Sequence, residues 1–215
     1  MGEYRMGPPK ELVLELQRLL GLRRFIETGT MSGDTAFWAA GHFDEVVTIE
    51  ASPVWYERAC RRLAKCANVR VVLGDSRTLL AETLAVSSDP ALLWLDAHWS
   101  GGETAGADSE CPLPEEIAAI NASCEDHGIL VDDARCFLSP PPRPHRAEQW
   151  PDLATVVASL ANGGRRYVVL HDDVLMAVPV RICPDFRCRV QDLVTAAWQS
   201  QPRRGRVRRL LRKFV

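Results

Sequence analysis

Arg23-Arg24-Phe25-Ile26-Glu27-Thr28-Gly29-Thr30-Met31-Ser32-Gly33-Asp34-Thr35 is the stretch that decides the fold. An apolar strand ends in an acid, turns through two glycines and opens a helix. Glycine lets backbone approach a ligand closely, and the free N–H groups at a helix start offer donors. The dinucleotide fingerprint is G-x-G-x-x-G. Here the pattern is E-x-G-x-x-x-G, with the acid inside the strand end. That acid would repel a pyrophosphate, but it suits a ligand carrying an ammonium or sulfonium group. A plain βα turn with two glycines reads the same way at this point.

Strand candidates follow at 45–50, 69–74, 91–96 and 127–132, separated by helical patterns at 33–40, 53–66, 76–86 and 114–124. Strands alternating with helices predict a parallel sheet covered on both faces. Upstream, Pro8-Pro9, a leucine stripe (Leu12, Leu16, Leu19, Leu20) and Gly21 predict a helix with a proline start and a glycine stop. The segment 133–149 carries four prolines and reads as a loop. Residues 150–161 look helical, and the apolar runs Tyr167–Leu170 and Val174–Val180 around His171-Asp172-Asp173 read as a closing antiparallel hairpin. The expected organisation is an N-terminal helix (1–21), a ligand-binding α/β domain (22–181) and a basic helical extension (182–215).

The 215 residues suit one domain with extensions, and no apolar run is long enough to span a membrane. Met1–Lys10 has no signal-peptide core. Seven cysteines, an odd number without any C-x-x-C, indicate neither a disulfide framework nor a zinc ribbon, and a reducing cytoplasm is the expected compartment. The net charge of −2 is uneven: residues 203–215 hold seven Arg or Lys and no acid, which leaves −9 on the rest. That tail reads as a terminal helix docked by Val207, Leu210, Leu211 and Phe214, or as a contact for an anionic partner.

In open α/β sheets ligands sit beyond the carboxyl ends of the strands. Those ends hold Glu27, Glu50, Gly74-Asp75, Asp96 and Asp132-Asp133. Glu50, followed by Ala51, closes its strand about 20 residues after the glycine turn, where a carboxylate can accept both ribose hydroxyls. Asp75-Ser76 can meet an adenine edge, and can equally cap the next helix. S-adenosylmethionine (SAM) combines these moieties with an ammonium and a sulfonium. Asp96, Asp132 and Asp133 would repel one another unless a cation neutralised them, and oxygen-only donors suit Mg²⁺. His98, two residues beyond Asp96, can take a proton near neutral pH. The competing readings are turn caps at Asp132-Asp133 and a loop hydrogen bond at His98. Trp99 opens a long loop to 113 that reads as a lid or substrate loop. His42, His127, His145 and His171 read as structural or surface residues.

Taken together, ETGTMSGDT (27–35), TIEAS (48–52), LGDS (73–76), WLDAH (94–98) and LVDDA (130–134) make residues 8–180 resemble the class I SAM-dependent methyltransferases. Within that superfamily the chain looks most like the metal-dependent O-methyltransferases that act on sugars of natural products. The resemblance implies a Rossmann-like, doubly wound, seven-stranded sheet, mostly parallel with the last strand antiparallel and helices on both faces. It implies SAM contacts at Glu27, Thr28, Gly29, Thr30, Ser32, Gly33, Thr35, Glu50, Ala51, Asp75, Ser76 and Asp96. It further implies Mg²⁺ ligation by Asp96, Asp132 and Asp133, and catalysis by His98 and Asp96, with His98 as base where that group usually has aspartate. The expected partner is a small-molecule hydroxyl acceptor, nucleic acid is not expected, and a homodimer is an allowed assembly. The alternatives are a nucleic-acid or protein methyltransferase anchored by the basic tail, and a SAM-binding module without turnover. The missing G-x-G-x-x-G weighs against a nicotinamide dehydrogenase.

Overall fold

The computed structural model describes residues 7–101 and 104–200. In chain order the elements are α1 (Lys10–Leu20), β1 (Arg24–Thr28), α2 (Asp34–Ala39), β2 (Glu45–Glu50), α3 (Pro53–Leu63), β3 (Val69–Leu73), α4 (Ser76–Ala85), β4 (Ala91–Leu95), α5 (Leu113–Ala122) and β5 (Gly128–Val131). They continue with α6 (Arg135–Leu138), α7 (Leu153–Ala161), β6 (Arg166–His171), β7 (Val174–Pro179) and α8 (Cys183–Ser200). The seven strands form one sheet in the order β3-β2-β1-β4-β5-β7-β6. β1 to β5 run parallel, and β7 inserts antiparallel between β5 and β6.

The sheet is buried on both faces, so its central strands are apolar throughout. Adjacent residues alternate between two cores. Phe25, Trp94, Leu130 and Met176 face the layer that holds Leu12 and Leu16 of α1 and Phe186 of α8. Ile26, Leu93, Ile129 and Leu175 face Leu80 of α4, Ile117 of α5 and Val156 of α7. Period-2 side-chain direction is what lets one strand serve both layers.

Local signals set the boundaries. Gly21 ends α1 in the left-handed region at φ 65°, where a Cβ is disfavoured. Asp75 caps α4 by accepting from the Arg77 N–H, and Asp152 caps α7 by accepting from the Thr155 N–H. One expectation changes. The proline-rich 133–149 segment is not all loop: residues 135–138 form one helical turn, and 147–149 a 3₁₀ turn. The prolines cluster at 140–144, between these turns, so they do not bar either. The C-terminal extension is helical over Cys183–Ser200, and the basic stretch 203–215 lies outside the described residues. No helix among the described residues is long and apolar enough to cross a membrane.

Candidate functional site

The sheet order reverses between β1 and β4, where neighbouring crossovers leave in opposite directions and open a crevice at the carboxyl ends. A cavity of about 320 Å³ lies there. Of the sequence-predicted residues, Gly29, Glu50, Ala51, Asp75, Ser76, Asp96, His98, Asp132 and Asp133 line it. Glu27, Thr28, Thr30, Ser32, Gly33 and Thr35 do not. Glu27, Thr28 and Thr30 turn into the protein, each 4% exposed or less.

The β1–α2 turn is held from both sides. The Gly29 N–H donates to the Ile49 carbonyl at 2.9 Å, and the Asp96 N–H donates to the Thr28 carbonyl at 3.0 Å. Gly29 has φ 84°, which a side chain disfavours. Beneath the turn, the Thr48 hydroxyl donates to Glu27 at 2.6 Å. Burial pushes the Glu27 carboxyl up to about 8, against the Thr48 hydrogen bond.

Glu50 is fixed by backbone. One carboxylate oxygen accepts from the Met31 N–H and the other from the Ser52 N–H, both at 2.8 Å. Both bonds orient a carboxylate that still has lone pairs for a ligand hydroxyl. Asp75 is engaged by Arg77, whose Nε and Nη2 reach it at 2.9 and 2.6 Å. That contact, reinforced by the cap, holds its carboxyl below the ordinary range despite burial. Arg77 also donates to the Ser109 hydroxyl at 2.5 Å, tying the 99–113 loop to the β3–α4 turn.

At the ends of β4 and β5 lies a charged chain. His98 Nε2 is 2.9 Å from Asp133 Oδ2, and His98 Nδ1 is 3.6 Å from Asp96 Oδ1. Arg135 Nη1 is 2.6 Å from Asp133 Oδ1 and also pairs with Asp173. Burial opposes charge on His98, but the Asp133 hydrogen bond and the nearby carboxylates prevail and raise its pKa. Burial likewise opposes ionisation of Asp133, yet His98 and Arg135 hold it below the ordinary range. Asp96 is pushed up by burial and by Asp132, and Asp132 by burial and by Asp133.

These donors do not fit the expected Mg²⁺ site. Among the described residues no group of three or more His, Cys, Asp or Glu is disposed to hold a metal ion. The left-handed backbone at Asp133, φ 55°, turns its carboxylate to His98 and Arg135, and each oxygen already meets a cationic or donor group. Of the three aspartates, only Asp133 is held ionised by protein groups, His98 and Arg135, while Asp96 and Asp132 stay pushed up.

Sequence reasoning missed a second layer. Glu110 is 1% exposed. It accepts from Trp150 Nε1 at 2.8 Å and from the Arg146 N–H at 3.1 Å, and it contacts His145 Nδ1 at 3.1 Å. Burial works against its ionisation, but these donors outweigh it and lower the pKa. The Trp99 N–H donates to the Glu110 carbonyl at 2.8 Å, closing the loop at its base. Trp150 in turn lies 5.6 Å from the His98 ring. The loop between contributes Ser100, Thr104, Gly106 and Ser109 to the cavity. Glu110 sits in no periodic element, so no spacing signal marked it. Arg135 carried one faint signal, its position two residues after the Asp132-Asp133 pair.

No protein-family model matches the chain, and no curated protein matches it. Solved structures do. A Staphylococcus aureus protein provisionally named a caffeoyl-CoA O-methyltransferase superposes with a TM-score of 0.58 at 13% identity, covering 82% of this chain and 86% of that one. A methyltransferase-like protein from Streptococcus mutans, solved with S-adenosylhomocysteine (SAH), gives 0.53 at 10% identity over 82% and 100%. The methyltransferase domain of bacterial CtHen1-CN gives 0.51 at 14% identity over 79% and 97%. At such identities the likeness is one of fold: the chain has the Rossmann-like fold of the class I SAM-dependent methyltransferases.

Proposed function

We propose that this protein is a SAM-dependent methyltransferase that moves a methyl group to a hydroxyl of a small molecule, with His98 as base. The observation that carries the reading is the cavity at the strand switch point. It joins a glycine turn, the backbone-anchored Glu50 and the His98–Asp133 pair. Glu50 suits the ribose hydroxyls, the Asp75-Ser76 turn the adenine edge, and Asp96 the cationic methionine end. The close β1–β4 approach leaves room for ligand against backbone at Gly29.

In the neutral imidazole, Nε2–H donates to Asp133 and leaves Nδ1 free to accept. The acceptor O–H gives its proton to Nδ1 as its oxygen attacks the sulfonium methyl. The C–S bond breaks, its electron pair stays on sulfur, and the products are methyl ether, SAH and imidazolium. Most of the rate enhancement would come from holding oxygen, methyl and sulfur in line. Because the His98 pKa is raised, the base-dependent limb of the rate profile should lie above the ordinary histidine value near 6.5. Seven free cysteines suit a reducing cytoplasm.

Calorimetric titration of SAM and SAH, followed by mass-spectrometric screening of glycosylated and phenolic acceptors, tests the reading. Micromolar binding and a methylated product that His98→Ala fails to make are expected. Absence of binding to both compounds removes it.

A further inference from the structure

We propose that the Arg135 guanidinium supplies at this site the positive charge that a divalent metal would supply in the group the sequence resembles, so that the site takes no divalent cation. The inference deepens the methyltransferase reading and rests on it for the identity of the transferred group. The charge arrangement itself stands on geometry alone.

Three observations carry it. Asp133 spends both carboxylate oxygens on two side chains, at 2.9 Å to His98 and 2.6 Å to Arg135. Arg135 is itself held: its backbone N–H donates to Asp173 Oδ1 at 2.8 Å, its guanidinium pairs with Asp173, and the Ala134 N–H donates to the Asp173 carbonyl at 2.9 Å. Asp173 belongs to the β6–β7 turn, in the left-handed region at φ 67°. The turn that ends the sheet therefore docks onto the residues that follow β5 and sets the guanidinium between two aspartates. Finally, the Asp132 carboxylate accepts from the Asp133 N–H at 2.8 Å, which commits one of its oxygens to the turn.

Mg²⁺ demands near-octahedral oxygen geometry and gives up its waters reluctantly. To reach Asp133 it would have to displace two charge-assisted contacts, among the stronger polar interactions in proteins. A guanidinium is always charged and carries five donors on a rigid plane, so it can serve both flanking aspartates without any ligand exchange. Removing the charge while keeping a polar side chain, as in Arg135→Gln, leaves a half-buried carboxylate oxygen without a cation beside Asp96 and Asp132. That is a donor set a metal ion would relieve.

The experiment is Mn²⁺ titration of the full chain, read by the loss of free-ion electron paramagnetic resonance signal, with and without SAH. The wild type is expected to bind Mn²⁺ no tighter than about 1 mM, and Arg135→Gln at least about tenfold tighter, competed by Mg²⁺. Arg135→Lys, which keeps the charge, should restore the wild-type result. Micromolar Mn²⁺ binding by the wild type would overturn the proposal, and so would a folded Arg135→Gln chain that gains no affinity. The wild-type titration decides even if the variant fails to fold. Failure of SAH to bind would count against the methyltransferase reading and leave the Mn²⁺ result to judge this one.

Discussion

Gly29 and Asp96 meet across the carboxyl ends of β1 and β4 so closely that a β-carbon at position 29 would stand 2.2 Å from the Asp96 carbonyl oxygen. That oxygen cannot step aside freely, because the Asp96 N–H is bonded to the Thr28 carbonyl on the same seam. Gly29→Ala adds an unfavourable φ to a backbone clash. It should cost about 2–4 kcal/mol of stability and abolish tight SAH binding, read by urea denaturation and calorimetry. A variant with unaltered midpoint and affinity would mean that the seam opens at no cost.

Glu50 accepts two backbone N–H groups from two different loops. Glu50→Ala orphans both and removes the candidate ribose contact. SAM affinity should fall by about 10- to 100-fold, as expected for losing 1.4–3 kcal/mol of charged hydrogen bonding. Calorimetry giving wild-type affinity would refute the ribose role.

His127 sets an acid limit on stability. Its Nδ1 accepts from the Ala91 N–H at 3.0 Å in a buried site, and burial, with Arg166 and Arg24 nearby, lowers its pKa to about 4. In the unfolded chain it titrates near 6.5. The unfolded state therefore binds the extra proton first. The stability that depends on neutral His127 is full above about pH 6.5 and is lost progressively as pH falls towards about 4, amounting to about 3 kcal/mol. His127→Gln should flatten that slope in urea midpoints compared at pH 7 and pH 4.5. An equal slope in both proteins would assign the acid loss elsewhere.

Glu110 clamps the 99–113 loop to the 145–150 segment. Glu110→Ala leaves the Trp150 indole N–H and the Arg146 N–H without their acceptor in a buried place, for a loss of about 2–4 kcal/mol. Faster hydrogen exchange should appear at amides 104–109 while β1 and β4 keep their protection. Trp150→Phe, which retains the ring beside His98, should loosen the same amides less. Uniformly faster exchange across the sheet would point to global destabilisation instead.

Much of the architecture was readable along the chain because strand and helix periods are local. The sequence of Phe25-Ile26, of Leu92 to Leu95 and of Ile129 to Val131 marks buried strands, and the runs 167–170 and 174–180 mark the closing hairpin. The pattern also brought the strand ends together in advance: Glu50, Asp75, Asp96 and Asp132 do share one cavity. At the glycine turn, which the resemblance assigns to SAM, the Glu27, Thr28 and Thr30 side chains are buried, because both faces of this central strand are covered.

The acidic strand ends show the division most clearly. Their number, and the need for a cation among them, follow from the sequence alone, because like charges gathered in a crevice repel whatever the details. Which cation answers that need was decided only by tertiary structure. Arg135 and Asp173 stand 38 residues apart, and they become partners because β7 inserts between β5 and β6 and brings the hairpin turn against α6. Glu110 and Trp150, 40 residues apart in loops, likewise meet only in the folded chain, beside the packed pair α5 and α7. Local periodicity dictates which segments are strands and helices, while contacts between segments without periodicity exist only once the sheet has set their distance.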